Sequence, residues 1–220
     1  VADLPPALER KSVERKQLSR KVRSEERRER VLERMTNVFA KRGYQAATVD
    51  HLIAGGKISM GGFYQEFEGK EDCFVQVYDR AVAEVRGRLA AAIPAGSDWA
   101  ERVALGMRTV VEFASERPMA ARVVLIEAQT GGELALARYG ATLAEVTPFL
   151  REGREAGARE QELPENFEDA TASGLVWLLQ NRLARERIED PEVLWPHMAK
   201  MVLEPYLGGS RAEQVLRSVS

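Results

Sequence analysis

The chain has 220 residues, 45% hydrophobic and 30% charged, enough for one large or two small domains with a sizeable core. Its net charge of −2 hides an asymmetry: residues 1–75 hold 15 basic and 12 acidic side chains, and residues 10–30 alone hold ten and four, which fits a polyanion-binding module on an acidic body. No apolar run approaches ~18 residues and the basic N-terminal stretch lacks an apolar core, so neither a membrane span nor a secretory signal is expected; the single cysteine, Cys73, excludes an internal disulfide and suits a reducing cytoplasm.

Ala, Leu, Glu and Arg abound and strand-type alternation is scarce, so the expected fold is all-α, with about nine helices. Pro5-Pro6 and a missing apolar stripe predict a flexible arm over residues 1–22, disordered or helical only in part. Basic pairs recur there every five residues: Arg10-Lys11, Arg15-Lys16 and Arg20-Lys21. They are either a solvated tail or an arm that neutralises phosphates or reaches the minor groove. Residues 24–42 predict a helix with Val31, Leu32, Met35, Val38 and Phe39 on one face, stopped by Gly43. Thr48 then caps a short helix from about Val49 to Ala54, which Gly55-Gly56-Lys57 breaks. Ser59, after the apolar Ile58, caps a second short helix carrying Phe63, Tyr64 and Phe67. Two short helices around a tight turn with a buried residue form the pattern of a helix-turn-helix. The second is ~12 Å long, short enough for a major groove. A plain helical hairpin in a core is the alternative.

At Phe39, Gly43-Tyr44, Thr48-Val49, Leu52, Ile58-Ser59, Gly61, Phe63-Tyr64, Phe67 and Lys70-Glu71 the chain resembles the TetR family of bacterial transcriptional regulators. The resemblance implies a three-helix DNA-binding domain over residues 23–70 and a helical effector-binding and dimerisation domain over 71–209. It also implies DNA contacts from Arg27, Thr48, Tyr64 and Lys70 to phosphates, and from Ser59, Met60, Gly61, Gly62 and Phe63 to base edges, with Phe63 open to a core role instead. The second helix departs from the family: position 60 is often basic, position 62 often carries a hydroxyl, and Glu66 adds negative charge near DNA. Lys57 stands where the family's turn has glycine. Either this lysine is left-handed, at a cost of about 1 kcal/mol, or Gly56 shifts the turn.

A long helix from Glu71 to about Ala92 follows, read as the connector between the two parts. Ile93 to Ser97 is a break, and Asp98 caps the next helix. Pro118 opens a nearly all-apolar segment. After Gly131-Gly132 a helix runs through Leu134 to Leu150, with a kink or a break expected at Pro148. Residues 157–165 read as a loop, Asn166–Arg187 and Pro191–Leu207 as helices, and 210–220 as a flexible tail.

TetR-like proteins usually hold a small molecule among the body helices. Met107, Val111, Phe113, Leu125 and Trp177 are candidates for such a pocket, with plain core as the alternative. Gln129, Tyr139 and Gln180 are its candidate polar groups, so a mainly apolar effector is expected. By resemblance the last two long helices pair with their copies in a homodimer. Ala170 and Gly174 would allow close approach there, and Leu178 and Trp195 would fill the seam, against intrachain packing as the alternative. Enzyme chemistry is poorly supported: His51, His197 and Cys73 have no metal-ligand spacing, and the acids preceding Cys73 disfavour a thiolate. No cofactor, metal or membrane contact is expected. The partners expected are a palindromic double-stranded operator, a second copy of the chain and a small effector, as in a ligand-responsive regulator, most often a repressor. The alternative is a helical small-molecule- or protein-binding module with weak or no sequence-specific DNA binding.

Overall fold

The computed structural model describes residues 6–157, 163–185, 188 and 190–219, with side chains from Lys21 onward. Among these residues the fold is helical throughout, without strands. The first part comprises α1 (Pro6–Arg42), α2 (Val49–Gly56) and α3 (Met60–Glu66), and α4 (Lys70–Ala92) leads into the body. The body holds α5 (Trp99–Glu116), α6 (Pro118–Leu125), a 3-10 turn (Glu127–Thr130), α7 (Glu133–Ala144), α8 (Val146–Arg151) and α9 (Gly153–Ala156). It closes with α10 (Phe167–Ala184), α11 (Pro191–Leu207) and α12 (Gly209–Ser218).

Three boundaries differ from expectation. Residues 6–22, expected as a flexible arm that is disordered or helical only in part, continue α1 as helix. Strong helix formers run without a glycine or proline from Ala7 to Arg42, so nothing local ends the helix; residues 1–5 of that arm lie outside the described residues. Residues 210–220, expected as a flexible tail, instead form α12 through Ser218, because Ala212, Val215 and Leu216 share one helical face and dock on the body core. Lys200 and Glu213 add an ion pair at 3.0 Å. The third break falls at Glu145 rather than Pro148. Pro148 has no N–H to give the Ala144 carbonyl, so α7 ends there, and the proline sits in the first turn of α8 where that donor is not needed.

The core lies in two main clusters. One joins Met35, Phe39, Leu52 and Phe63 of the first three helices to Phe74, Val77 and Tyr78 of α4. Phe39 and Tyr44 both stand edge-on to Phe74, at 5.0 Å between ring centroids. Val123, Ala128 and Ala135 of the body complete this cluster. The other gathers α5, α10, α11 and α12 around Trp99, Trp195, Leu203 and Tyr206. The connector expected from the sequence is thus present: α4 begins in the first core, and its Ala81 packs with Phe113, Ala114 and Ala120 of the body. A buried charge anchors the far end of the body. Glu168, fully shielded from solvent, accepts from Arg154 at 2.7 and 3.0 Å and from the Tyr206 hydroxyl at 2.9 Å.

The turn of the helix pair is made by Lys57, at φ 54 and ψ 48. Gly56 does not shift it: both Gly55 and Gly56 are helical and face α1. A Cβ on Gly55 would lie 2.3 Å from Val38 Cγ2, and one on Gly56 2.5 Å from Met35 Cε. The glycines therefore serve close packing of α2 on α1, and the left-handed conformation falls on an exposed lysine. Replacing Lys57 by Gly is expected to raise stability by up to about 1 kcal/mol, measured as a higher denaturation midpoint.

Candidate nucleic-acid interface and cavity

The helix pair is fixed by its own caps. Thr48 Oγ1 accepts from the His51 amide at 3.3 Å, and His51 Nδ1 accepts from the Thr48 amide at 3.3 Å. Histidine thus takes the place that Glu or Gln fills in a capping box. Ser59 Oγ accepts from the Gly62 amide at 3.0 Å and starts α3. Ile58, half-buried, packs on the first core between the two helices.

The exposed side of α3 presents Met60 and Tyr64, 51% and 56% exposed one helical turn apart. Ser59 and Gly61 share that exposure, and nothing lies within 4 Å of where a Gly61 Cβ would be. Gly62 is half-buried, its Cβ position 3.2 Å from Ser59 Oγ. Phe63 is a correction: it is fully buried against Phe67 at 5.2 Å and cannot reach a base edge. Lys70 is half-buried, and its ammonium donates to the Tyr44 carbonyl at 3.1 Å while lying 4.3 Å from the Tyr44 ring centroid. It holds the loop after α1 rather than projecting from the surface. Arg27 and Thr48 are exposed. The charge of Glu66 is offset by Arg28, 3.5 Å away, which also donates to Gln76 at 2.6 Å. Sequence reasoning passed over Gln65, an exposed amide on α3. Its side-chain type suits bidentate contact with adenine, and a polar residue next to Tyr64 on a short helix was signal enough to find it.

Several polar links join this module to the body. Buried Glu127 accepts from the Tyr44 amide at 2.9 Å, and Gln45 donates to the Thr130 carbonyl at 2.8 Å. Arg122 Nε faces Glu127 Oε1 at 3.4 Å. Glu33 of α1 takes Arg117, the residue between α5 and α6, at 2.6 Å and Arg80 of α4 at 2.9 Å. Burial pulls the Glu33 carboxyl up, but the two arginines outweigh it and hold it below its ordinary range. Cys73 is fully buried, and burial pushes its thiol far up, away from thiolate chemistry.

Inside the body a cavity of about 320 Å³ lies between α4, α5, α6, α7, α8 and α10. Met107, Phe113 and Leu125 line it as expected. Val111 and Trp177 do not. Val111 is fully buried on the side of α5 that packs on the body core, and its neighbour Val110 lines the cavity instead. Trp177 is 63% exposed, and its neighbour Val176 takes the cavity position. Of the candidate polar groups, Gln180 donates to the Leu125 carbonyl at 2.7 Å, Gln129 is exposed, and Tyr139 packs on the first core.

On the outer side of α10, Ala170 is exposed and the space around Gly174 is open. Leu178 is half-buried against the body core. Trp195 is a further correction: it is 1% exposed, deep in that core, with its indole N–H donating to Glu192 at 3.2 Å. Trp177 of α10 and Val193 and Met201 of α11 are the large apolar groups exposed on these two helices. Among the described residues no helix is long and apolar enough to cross a membrane, and no group of three or more His, Cys, Asp or Glu is placed to hold a metal.

Residues 31–77 match the family described as bacterial regulatory proteins, tetR family. The HTH-type transcriptional activator FasR of Mycolicibacterium smegmatis is 30% identical over 115 residues, covering 45% of this chain and 52% of FasR. The chain spans about half the length of the curated relatives it matches. Among solved structures, a gamma-butyrolactone receptor (ArpA-like protein) superposes with a TM-score of 0.69 at 18% identity, covering 90% of this chain and 96% of that one. AibR, solved with isovaleryl coenzyme A and operator DNA, gives 0.65 at 16% identity, covering 80% and 97%. The half-buried Ile58, the buried Phe63 and both helix caps lie within the residues that match the tetR family of bacterial regulatory proteins, and the solved structures share the fold of most of the chain.

Proposed function

We propose that the protein is a ligand-responsive transcriptional regulator that binds a palindromic operator as a homodimer and is released or altered by a small, mainly apolar effector. The observation that carries this reading is a capped α2–α3 pair packed on α1, with α1 and the loop after it joined through Glu33 and Glu127 to the helices that wall an apolar cavity. Met60, Gly61 and Gln65 face the bases; Arg27, Thr48, the Tyr64 hydroxyl and the amides at the start of α2 face phosphates. With no arginine on α3, direct bidentate readout is sparse, and DNA shape and methyl contacts carry more of the specificity. The helical stretch over residues 6–22 adds basic charge for phosphate neutralisation. AibR in its solved structure holds both isovaleryl coenzyme A and operator DNA, and that pairing of ligands is the one proposed here in kind. Repression is the sign proposed, and no enzymatic step is assigned to any residue.

The test is a selection of duplexes from a random pool at about 100 mM salt. A two-fold symmetric site with half-sites ~34–36 Å apart is the expected result. Recovery of nothing above background would instead favour a helical binding module that does not read sequence. For the homodimer, the exposed face of Ala170, Gly174, Trp177 and Met201 is the proposed seam. Trp177→Glu is expected to shift the protein to monomer in sedimentation and to weaken operator binding together with it, while its fold by circular dichroism is unchanged.

A further inference from the structure

The cavity in the body has one polar end. Its walls are apolar, from Val85 and Leu89 of α4 across Met107 and Phe113 to Val176 and Leu179. The charged side chains in its lining are Arg86 and Glu145, and they face each other: Arg86 Nη2 donates to Glu145 Oε1 at 2.6 Å. Thr142, one turn before Glu145, is engaged with the Tyr78 hydroxyl at 3.0 Å. Both partners of the ion pair are more than half exposed, so the pair lies at the rim and not inside. Such a solvent-exposed pair contributes little stability and opens at little cost. Its two halves are unequally anchored. Arg86 stands mid-way along the long α4, whereas Glu145 is the residue at which α7 stops and α8 begins.

We propose that this rim is the head-group site for the effector, and that the effector is a medium-chain anionic amphiphile. Its carboxylate, or an equivalent anion, takes the place of Glu145 on the Arg86 guanidinium while its chain fills the apolar cavity. This rests on the reading of the cavity as the effector site. The bond to Glu145 uses one of the five N–H donors of Arg86, and a planar guanidinium matches a carboxylate bidentately. Glu145, released, moves into water at the α7–α8 break. Chain length follows from volume. At roughly 30 Å³ per water-sized group, 320 Å³ holds about ten non-hydrogen atoms, which fits an eight-carbon chain better than one of sixteen. A long chain requires the helices to part.

The experiment uses the full chain with octanoate, 1-octanol and octylamine as probes, read by isothermal calorimetry and by the thermal midpoint. Octanoate is expected to bind at least tenfold more tightly than octanol, and octylamine more weakly than either. Arg86→Gln is expected to remove the preference for octanoate and leave octanol binding unchanged. Glu145→Gln is expected to tighten octanoate severalfold, because the internal competitor is gone. Equal binding of octanoate and octanol, or an octanoate affinity unchanged by Arg86→Gln, would overturn the head-group assignment while leaving the cavity as an effector site. A preference for octylamine lost on Glu145→Gln would assign the rim to a cation instead. If none of the three probes binds, or if Val176→Trp leaves octanoate binding untouched in a folded protein, the cavity reading itself fails. Hexadecanoate binding more tightly than octanoate would overturn the chain-length assignment.

Discussion

Replacing Phe63 by Ala is expected to cost about 3–5 kcal/mol and to abolish DNA binding by unfolding the surface that reads it. Phe63 is fully buried, edge-on to Tyr64 and 5.2 Å from Phe67, in the core shared by α1, α3 and α4. Truncating it leaves a ring-sized void where α3 holds to the rest of the module. With only seven residues, α3 has little intrinsic helical stability and depends on that contact. Met60→Ala is the contrasting variant. Its side chain is half in water, so stability should stay within about 0.5 kcal/mol. Its effect should appear as altered base preference in a duplex selection. Chemical denaturation separates the two: a Phe63→Ala protein as stable as wild type, with only its base preference changed, would return Phe63 to the DNA surface.

Glu168→Gln should lower stability by about 3 kcal/mol. The carboxylate is buried and takes both arms of the Arg154 guanidinium and the Tyr206 hydroxyl. Removing one partner of a buried pair typically costs ~3–5 kcal/mol; the Arg154 side chain keeps 35% exposure and some hydration, which favours the lower end. For a chain of this size that is roughly 6–12 °C in the thermal midpoint. The same pair shapes the acid limb. Arg154, and then the Tyr206 hydroxyl, hold the Glu168 carboxyl below its ordinary range against the opposing effect of burial. A carboxyl depressed in the folded state contributes stability that is fully present above its unfolded value, about pH 4.3, and is lost as pH falls through the folded one. The wild type should therefore lose stability more steeply than Glu168→Gln below about pH 4. Parallel acid limbs for the two proteins would show that the pair does not titrate with folding.

The parts of this molecule that sequence revealed are those fixed locally. Thr48 and Ser59 are caps whose partners lie three residues on, so their role is written in adjacent residues. Lys57 is left-handed because the turn geometry requires it, and that too was visible as one of two options. What sequence obscured depends on distant partners. Gly55 and Gly56 look like helix breakers but are spacers against Val38 and Met35, about twenty residues away. On α10, Leu175 through Leu179 are all apolar, so no stripe marks its phase. Trp177 reads as a pocket candidate from sequence, whereas Val176 faces the cavity and Trp177 faces out. Trp195, a seam candidate by resemblance with intrachain packing as the alternative, lies in the core. The Arg86–Glu145 pair was invisible because its members are 59 residues apart and each, alone, reads as a solvated charge.

Phe74, Val77 and Tyr78 of α4, with Val123, Ala128 and Ala135, complete the packing under α1–α3. The helix-turn-helix module is therefore not a detachable cassette. A chain cut after residue 70 would leave Phe39, Tyr44 and Phe63 facing water where α4 now covers them, and a graft onto a foreign body would have to carry α4 and find substitutes for the α6 and α7 residues beneath it. Exchange of reading heads between such proteins is thus constrained to crossovers beyond α4. Change in what the head reads comes more readily by point substitution on the exposed face of α3, where Met60, Gly61, Tyr64 and Gln65 stand exposed.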